Sequence, residues 1–171
     1  VNTKSLLYTW FGCLIGCLPL LALFLVPQLM RSRAGDERLL LAGTTLLLLL
    51  LVSAFVLAPV MSSWFSPIKP IWEPRTALRS ARTVWRRSTR GAVGALAVGI
   101  AVYAAGQAVG YVIGAIVPYV SDNPAHINDP TQSPWLIHYP EYALQASFLY
   151  VMTAFAVAVY SWRIRALRQR S

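Results

Sequence analysis

The sequence predicts an all-α integral membrane protein: a four-transmembrane-helix bundle with a cytoplasmic basic amphipathic interfacial helix. Three observations predict it. Hydrophobic residues make up 57% of the 171-residue chain and charged residues only 12%, about half the charged share of an ordinary soluble domain. Four long stretches, 5–30, 39–61, 91–117 and 142–162, contain no Asp, Glu, Lys or Arg, and roughly 20 mostly apolar residues suffice for a helix to cross a bilayer. The cations, mostly Arg, stand in blocks between those stretches. The chain reads as a single membrane domain over 1–171. The uncharged runs are too long and too poorly alternating for a barrel, and the composition excludes a disordered chain.

The first stretch, Ser5–Met30, is expected to be a retained helix rather than a cleaved leader, because no small-residue cleavage pattern follows Met30. Gly12 and Gly16 form a GxxxG pair, and Pro19 is expected to kink the helix. Cys13 and Cys17 share a face four residues apart. A helix holds that spacing badly for a disulfide, and buried thiols behave as small hydrophobes. The second stretch, Leu39–Met61, has the run Leu46–Leu51 and few small residues, so it is expected to be the most lipid-exposed span.

The connector 62–90 divides in two. Pro67, Pro70 and Pro74 forbid a regular helix in its first half, where Trp64, Phe65, Ile68, Ile71 and Trp72 suggest a segment lying along headgroups. Pro74 is placed to start a new helix. From Arg75 to Arg90 the pattern is helical. Ala77, Leu78, Ala81, Val84 and Trp85 fall within an arc of about 120°, and Arg75, Arg79, Arg82, Arg86 and Arg90 lie opposite. Such a helix suits an anionic lipid surface or an acidic partner subunit. Trp85 belongs to the apolar face, so nothing here points to nucleic acid.

The third stretch carries Gly91, Ala95, Gly99, Gly106, Gly110 and Gly114, which wind as one groove along the helix. This glycine-zipper pattern lets another backbone approach closely, from within the chain or from another copy or subunit. Gln107 lies near mid-depth and needs a partner. Ser147 and Thr153 of the fourth stretch are candidates, and a polar lining for a permeation path is the other reading.

The connector 118–141 has no Lys or Arg. It offers His126 with Asp129 and His138 with Glu141, each at three-residue spacing, as weak candidates for metal or acid–base chemistry. Pro124, Pro130, Pro134 and Pro140 are expected to break it into short turns that cap the bundle. The tail beyond Trp162 is basic. Lys4, the seven cations of 62–90 and the four of the tail outnumber Arg31, Arg33 and Arg38. The positive-inside rule therefore puts both termini and 62–90 in the cytoplasm, with the first connector as a mild conflict. The preference for Arg over Lys suggests a bacterial chain of the inner membrane.

Several chemistries are excluded. No span contains His, which rules out bis-His haem ligation. No CxxC pair, P-loop or nucleophile elbow appears, and no carboxylate lies within a span for ion-coupled transport. The expected function is therefore a non-catalytic accessory, scaffolding or anchoring subunit of a larger membrane complex, with no cofactor. The expected partners are anionic lipid and other subunits or copies of itself. The alternative is a small homo-oligomeric channel or transporter, with Gln107 and the glycine face near a pore. An enzyme using His126 or His138 ranks third.

Overall fold

The computed structural model describes residues 3–34, 36–67 and 72–170. Ile68, Lys69, Pro70 and Ile71 of the Pro-rich connector lie outside the described residues. The protein is mostly helical, 79%. Three helices are long and apolar enough to cross a membrane, or four if one bent pair counts as a single span.

That bent pair is the first stretch, which is not one helix. It divides into α1 (Thr3–Gly16), α2 (Leu18–Phe24) and α3 (Pro27–Met30), with α1 and α2 at 57° to each other. The expected kink at Pro19 is thus a full break at Cys17. Proline lacks the N–H that would bond one turn back, and its ring crowds that carbonyl. Carbonyls left open at this break and at the end of α2 are taken by tyrosines of the last helix. The Tyr150 hydroxyl donates to the Leu14 carbonyl, Tyr142 to Phe24, and Tyr139 to Leu25 at 3.3 Å. Broken helices in apolar surroundings persist only where protein groups restore such bonds.

Helix α4 (Glu37–Phe65) starts at an Asp36 cap whose carboxylate accepts from the Leu39 N–H at 2.7 Å. It overruns the expected boundary at Met61 by one turn. The amphipathic helix α5 is Ala77–Arg87, shorter at both ends than the expected Arg75–Arg90. Glu73–Thr76 form a turn before it, so Pro74 precedes the helix rather than opening it. A break at Ser88 separates α5 from α6 (Thr89–Ile116), which places Arg90 in the first turn of α6.

The connector after α6 holds more order than short turns. Val120–Asp122 (β1) pairs antiparallel with Trp135–Ile137 (β2), Val120 facing Ile137, with the short helix α7 (Ala125–Asn128) between them. Helix α8 then runs from Tyr139 to Arg170, carrying the basic tail as a continuation of the span.

Half of the apolar stretch of α8 is buried inside the molecule, against 22% for α6 and 11% for α4. Helix α8 is therefore the hub, in contact with α1, α2, α4, α5 and α6. Over their apolar windows, the leucine-rich α4 is the least covered of the three long apolar helices. The core along α8 is built of small residues, Ala154, Val157, Ala158 and Ser161, which admit neighbouring helices at close range.

Candidate functional site: an apolar cleft beside the basic helix

Helix α5 is held by its apolar face. Ala77, Ala81 and Val84 are buried in the same core cluster as Ala158, Tyr160 and Ile164 of α8. The Trp85 indole donates to the Tyr160 hydroxyl at 3.1 Å, so Trp85 is anchored to α8 and only part of its ring faces outward. Arg75, Arg79, Arg82, Arg86 and Arg90 are all exposed. Trp72 is fully buried rather than spread along headgroups, and its indole donates to the Ser62 hydroxyl at 3.2 Å. Ser62 in turn receives Ser161 at 2.8 Å and donates to the Pro59 carbonyl at 2.9 Å. This chain of hydroxyls ties the approach to α5 to both α4 and α8.

Beside α5 an apolar cleft of about 690 Å³ opens between α4 and α6. Leu51, Val52 and Val56 of α4 form one wall, and Leu96 and Ile100 of α6 the other. Phe55 and Tyr160 close the back, their ring centroids 5.5 Å apart. Among the lining residues Arg82 alone carries a charge. The cleft thus offers a long apolar trough with a cation at its α5 end.

The small-residue stripe of α6 faces α8 of the same chain. A side chain added at Gly106 would meet Met152, at Gly110 Leu149, at Gly114 Gln145, and at Gly99 Tyr160 and Phe55. Gly91 abuts Leu167, and Ala95 is buried. The polar bond across this interface is made by a residue the sequence reading did not single out. The Gln145 amide donates to the Gly110 carbonyl at 2.7 Å, while its oxygen accepts from Arg31 at 2.9 Å. Ser147 and Thr153 do not bond Gln107; Thr153 turns back to the Leu149 carbonyl at 2.7 Å, and the Gln107 amide nitrogen is buried without a partner. A Gln one turn inside the start of a span was the available signal for Gln145.

The hairpin connector does not assemble its candidate ligands. His126 bonds the Gln132 carbonyl at 2.7 Å and His138 the Ser121 hydroxyl at 2.8 Å. The Asp129 carboxylate accepts from Thr131 and Gln132, which hold it below the usual carboxylate range, the Thr131 hydroxyl foremost. Glu141 sits in the first turn of α8, where an acid suits the helix dipole. Among the described residues no three of His, Cys, Asp and Glu converge to hold a metal ion. Comparisons with protein-family models, curated proteins and solved structures give no match. The cleft and its basic helix are therefore interpreted on their chemistry.

Proposed function

We propose that the protein is a non-catalytic accessory, scaffolding or anchoring subunit of a larger membrane complex. In this reading it is a four-span protein of a bacterial inner membrane, with α1–α2 as one broken span and both termini in the cytoplasm. The observation that carries the reading is the α4–α6 cleft. Two long apolar helices flank α8 without closing on each other, and the trough between them matches the apolar side of one further transmembrane helix. Arg82 at its end adds a preference for a partner helix with a carboxylate near the cytoplasmic surface, since opposite charges attract more strongly in the lower dielectric there than in water. The exposed cations of α5 hold that end at an anionic leaflet, each worth roughly 1 kcal/mol near the surface.

The alternative, a small homo-oligomeric channel or transporter with a glycine-lined helix interface, has less support, because the glycine face of α6 is engaged by α8. The test is native mass measurement of the chain extracted gently from its own membrane, alongside Ile100→Trp, which fills the cleft. A defined heteromeric mass lost in the variant supports the subunit reading. A ring of identical copies supports the alternative, and a monomer in both preparations overturns both.

A further inference from the structure

Arg31 is the residue whose surroundings the subunit reading leaves unexplained. It follows α3 at the hairpin end of the bundle, where it is partly buried. Its guanidinium lies 5.1 Å from the centroid of the Tyr119 ring and 5.9 Å from that of Tyr142. One terminal nitrogen donates to Gln145. The Nε is buried without a hydrogen-bond partner. Next to it lies a cavity of about 80 Å³, lined by Arg31 and Gln107 together with Phe24, Leu47, Tyr142 and Ala146 among others. The Gln107 amide nitrogen is the second buried donor without a partner. No carboxylate lines the cavity, and the Tyr142 hydroxyl is committed to the Phe24 carbonyl. On its other side Arg31 lines a wider recess of about 310 Å³, shared with Ser32, Arg33 and Tyr119.

Two buried N–H donors without partners, in a cavity walled by apolar and aromatic groups, are costly as they stand, and among the described residues the Arg31 guanidinium has no carboxylate beside it. Water would satisfy the donors but leave the charge. A phosphate or sulfate would bring more charge and more acceptor oxygens than two N–H groups can serve. A chloride-sized anion answers both needs: it accepts from the two nitrogens, neutralises the guanidinium, and tolerates apolar contacts on its remaining surface. We propose that this cavity is a binding site for a small monovalent halide, held by Arg31 and Gln107 and entered from the recess beside Arg33. The anion joins the segment after α3 to α6 and α8, so its binding strengthens the hairpin end of the bundle.

The test uses the purified full chain in neutral detergent at fixed ionic strength. Thermal unfolding is followed as chloride or bromide replaces gluconate, with phosphate as a further arm. The expected result is a saturable rise in Tm with chloride and bromide and none with phosphate. Gln107→Leu and Arg31→Gln should each raise the half-saturating chloride concentration at least tenfold, about 1.4 kcal/mol. Chloride NMR line width gives a reading independent of unfolding, in case Arg31→Gln folds poorly. Wild type should broaden the line and Gln107→Leu should not. Equal Tm in chloride and gluconate with no excess broadening would overturn the proposal and leave the cavity to water. Stabilisation by phosphate alone would also overturn it, in favour of a lipid phosphate in the outer recess.

Discussion

A methyl group added to Gly12 would collide with the Met61 carbonyl on α4, whereas one added to Gly94 would meet nothing within 4 Å. The same substitution thus has opposite consequences at two glycines of the same chain. Gly12→Ala forces two backbones apart and should lower stability by about 1–3 kcal/mol. Gly94→Ala gains helix propensity and should be neutral or stabilising by up to about 1 kcal/mol. Thermal unfolding of the two variants side by side checks the contrast. Gly43 belongs with Gly12, since an added methyl there would strike the Leu29 carbonyl. Asp129 makes a second residue-scale prediction. Its carboxyl titrates below its ordinary value because Thr131 and Gln132 donate to the ionised form. That loop therefore has its full contribution above the unfolded carboxylate pKa, about 3.9, and loses it as pH falls through the lower folded value. Protection of the Thr131 amide, its exchange rate relative to an unstructured chain at the same pH, should fall in that acid window, and Asp129→Asn should remove that fall. Protection that stays constant through the window would show that the Asp129 bonds are not formed.

Among the elements, the bent α1–α2 pair and the hub helix explain one another. Tyr150→Phe keeps the ring and removes only the hydroxyl that serves the Leu14 carbonyl. Leaving a buried carbonyl unpaired costs about 1–3 kcal/mol, so a clear drop in Tm is expected where a surface Tyr→Phe change such as Tyr111→Phe does nothing. The break itself was half legible. Pro19 announced a kink, but the sequence does not say which groups will receive the freed carbonyls, because those groups lie far along the chain. Tyr142 illustrates the difficulty. A Tyr at the edge of an apolar run reads as an interface anchor, yet it is 1% exposed and turned inward. Trp72 misleads in the same way. By contrast, the helical periodicity of α5 is a local property, and its apolar face was readable at Ala77, Ala81 and Val84, though Leu78 is left exposed and Ser80 is buried. What periodicity could not supply was the surface that face meets, which is α8 rather than lipid at Val84 and Trp85.

For the molecule as a whole, the three long apolar helices were legible from hydropathy, while the full break in the first stretch and the hairpin end were not. Val120–Asp122 and Trp135–Ile137 are three residues each, too short for an alternating pattern to rise above their prolines. The mild charge conflict of the first connector also has a structural counterpart. Arg31 is folded against Gln145 and two tyrosines, and Arg33 lies 4.5 Å from the Trp135 ring centroid. These cations are engaged by the protein and weigh less as free surface charge. The topology is checked by thiol labelling in a background with Cys13 and Cys17 replaced by Ala. Asn128→Cys should react with an impermeant reagent added outside intact cells, and Arg79→Cys only after permeabilisation; both positions are exposed. Labelling in the reverse order would place the termini outside.

The central position of α8 has a consequence for how the chain is made. Every other long helix leaves the ribosome before it, and each leans on it once complete. Until α8 arrives, the carbonyls of Leu14, Phe24 and Leu25 have no tyrosines, the small-residue face of α6 has no partner, and Ser62 lacks Ser161. Before α8 is made, α1, α2 and α3 can already pack on α4, but the break in the first stretch lacks the hydroxyls that serve its open carbonyls. Completion of the bundle around α8 is therefore expected to wait for that helix. A ribosome stalled before Tyr139 would leave a product that membrane quality control can recognise by its unpaired backbone, and that product should turn over far faster than the full chain in a pulse-chase experiment.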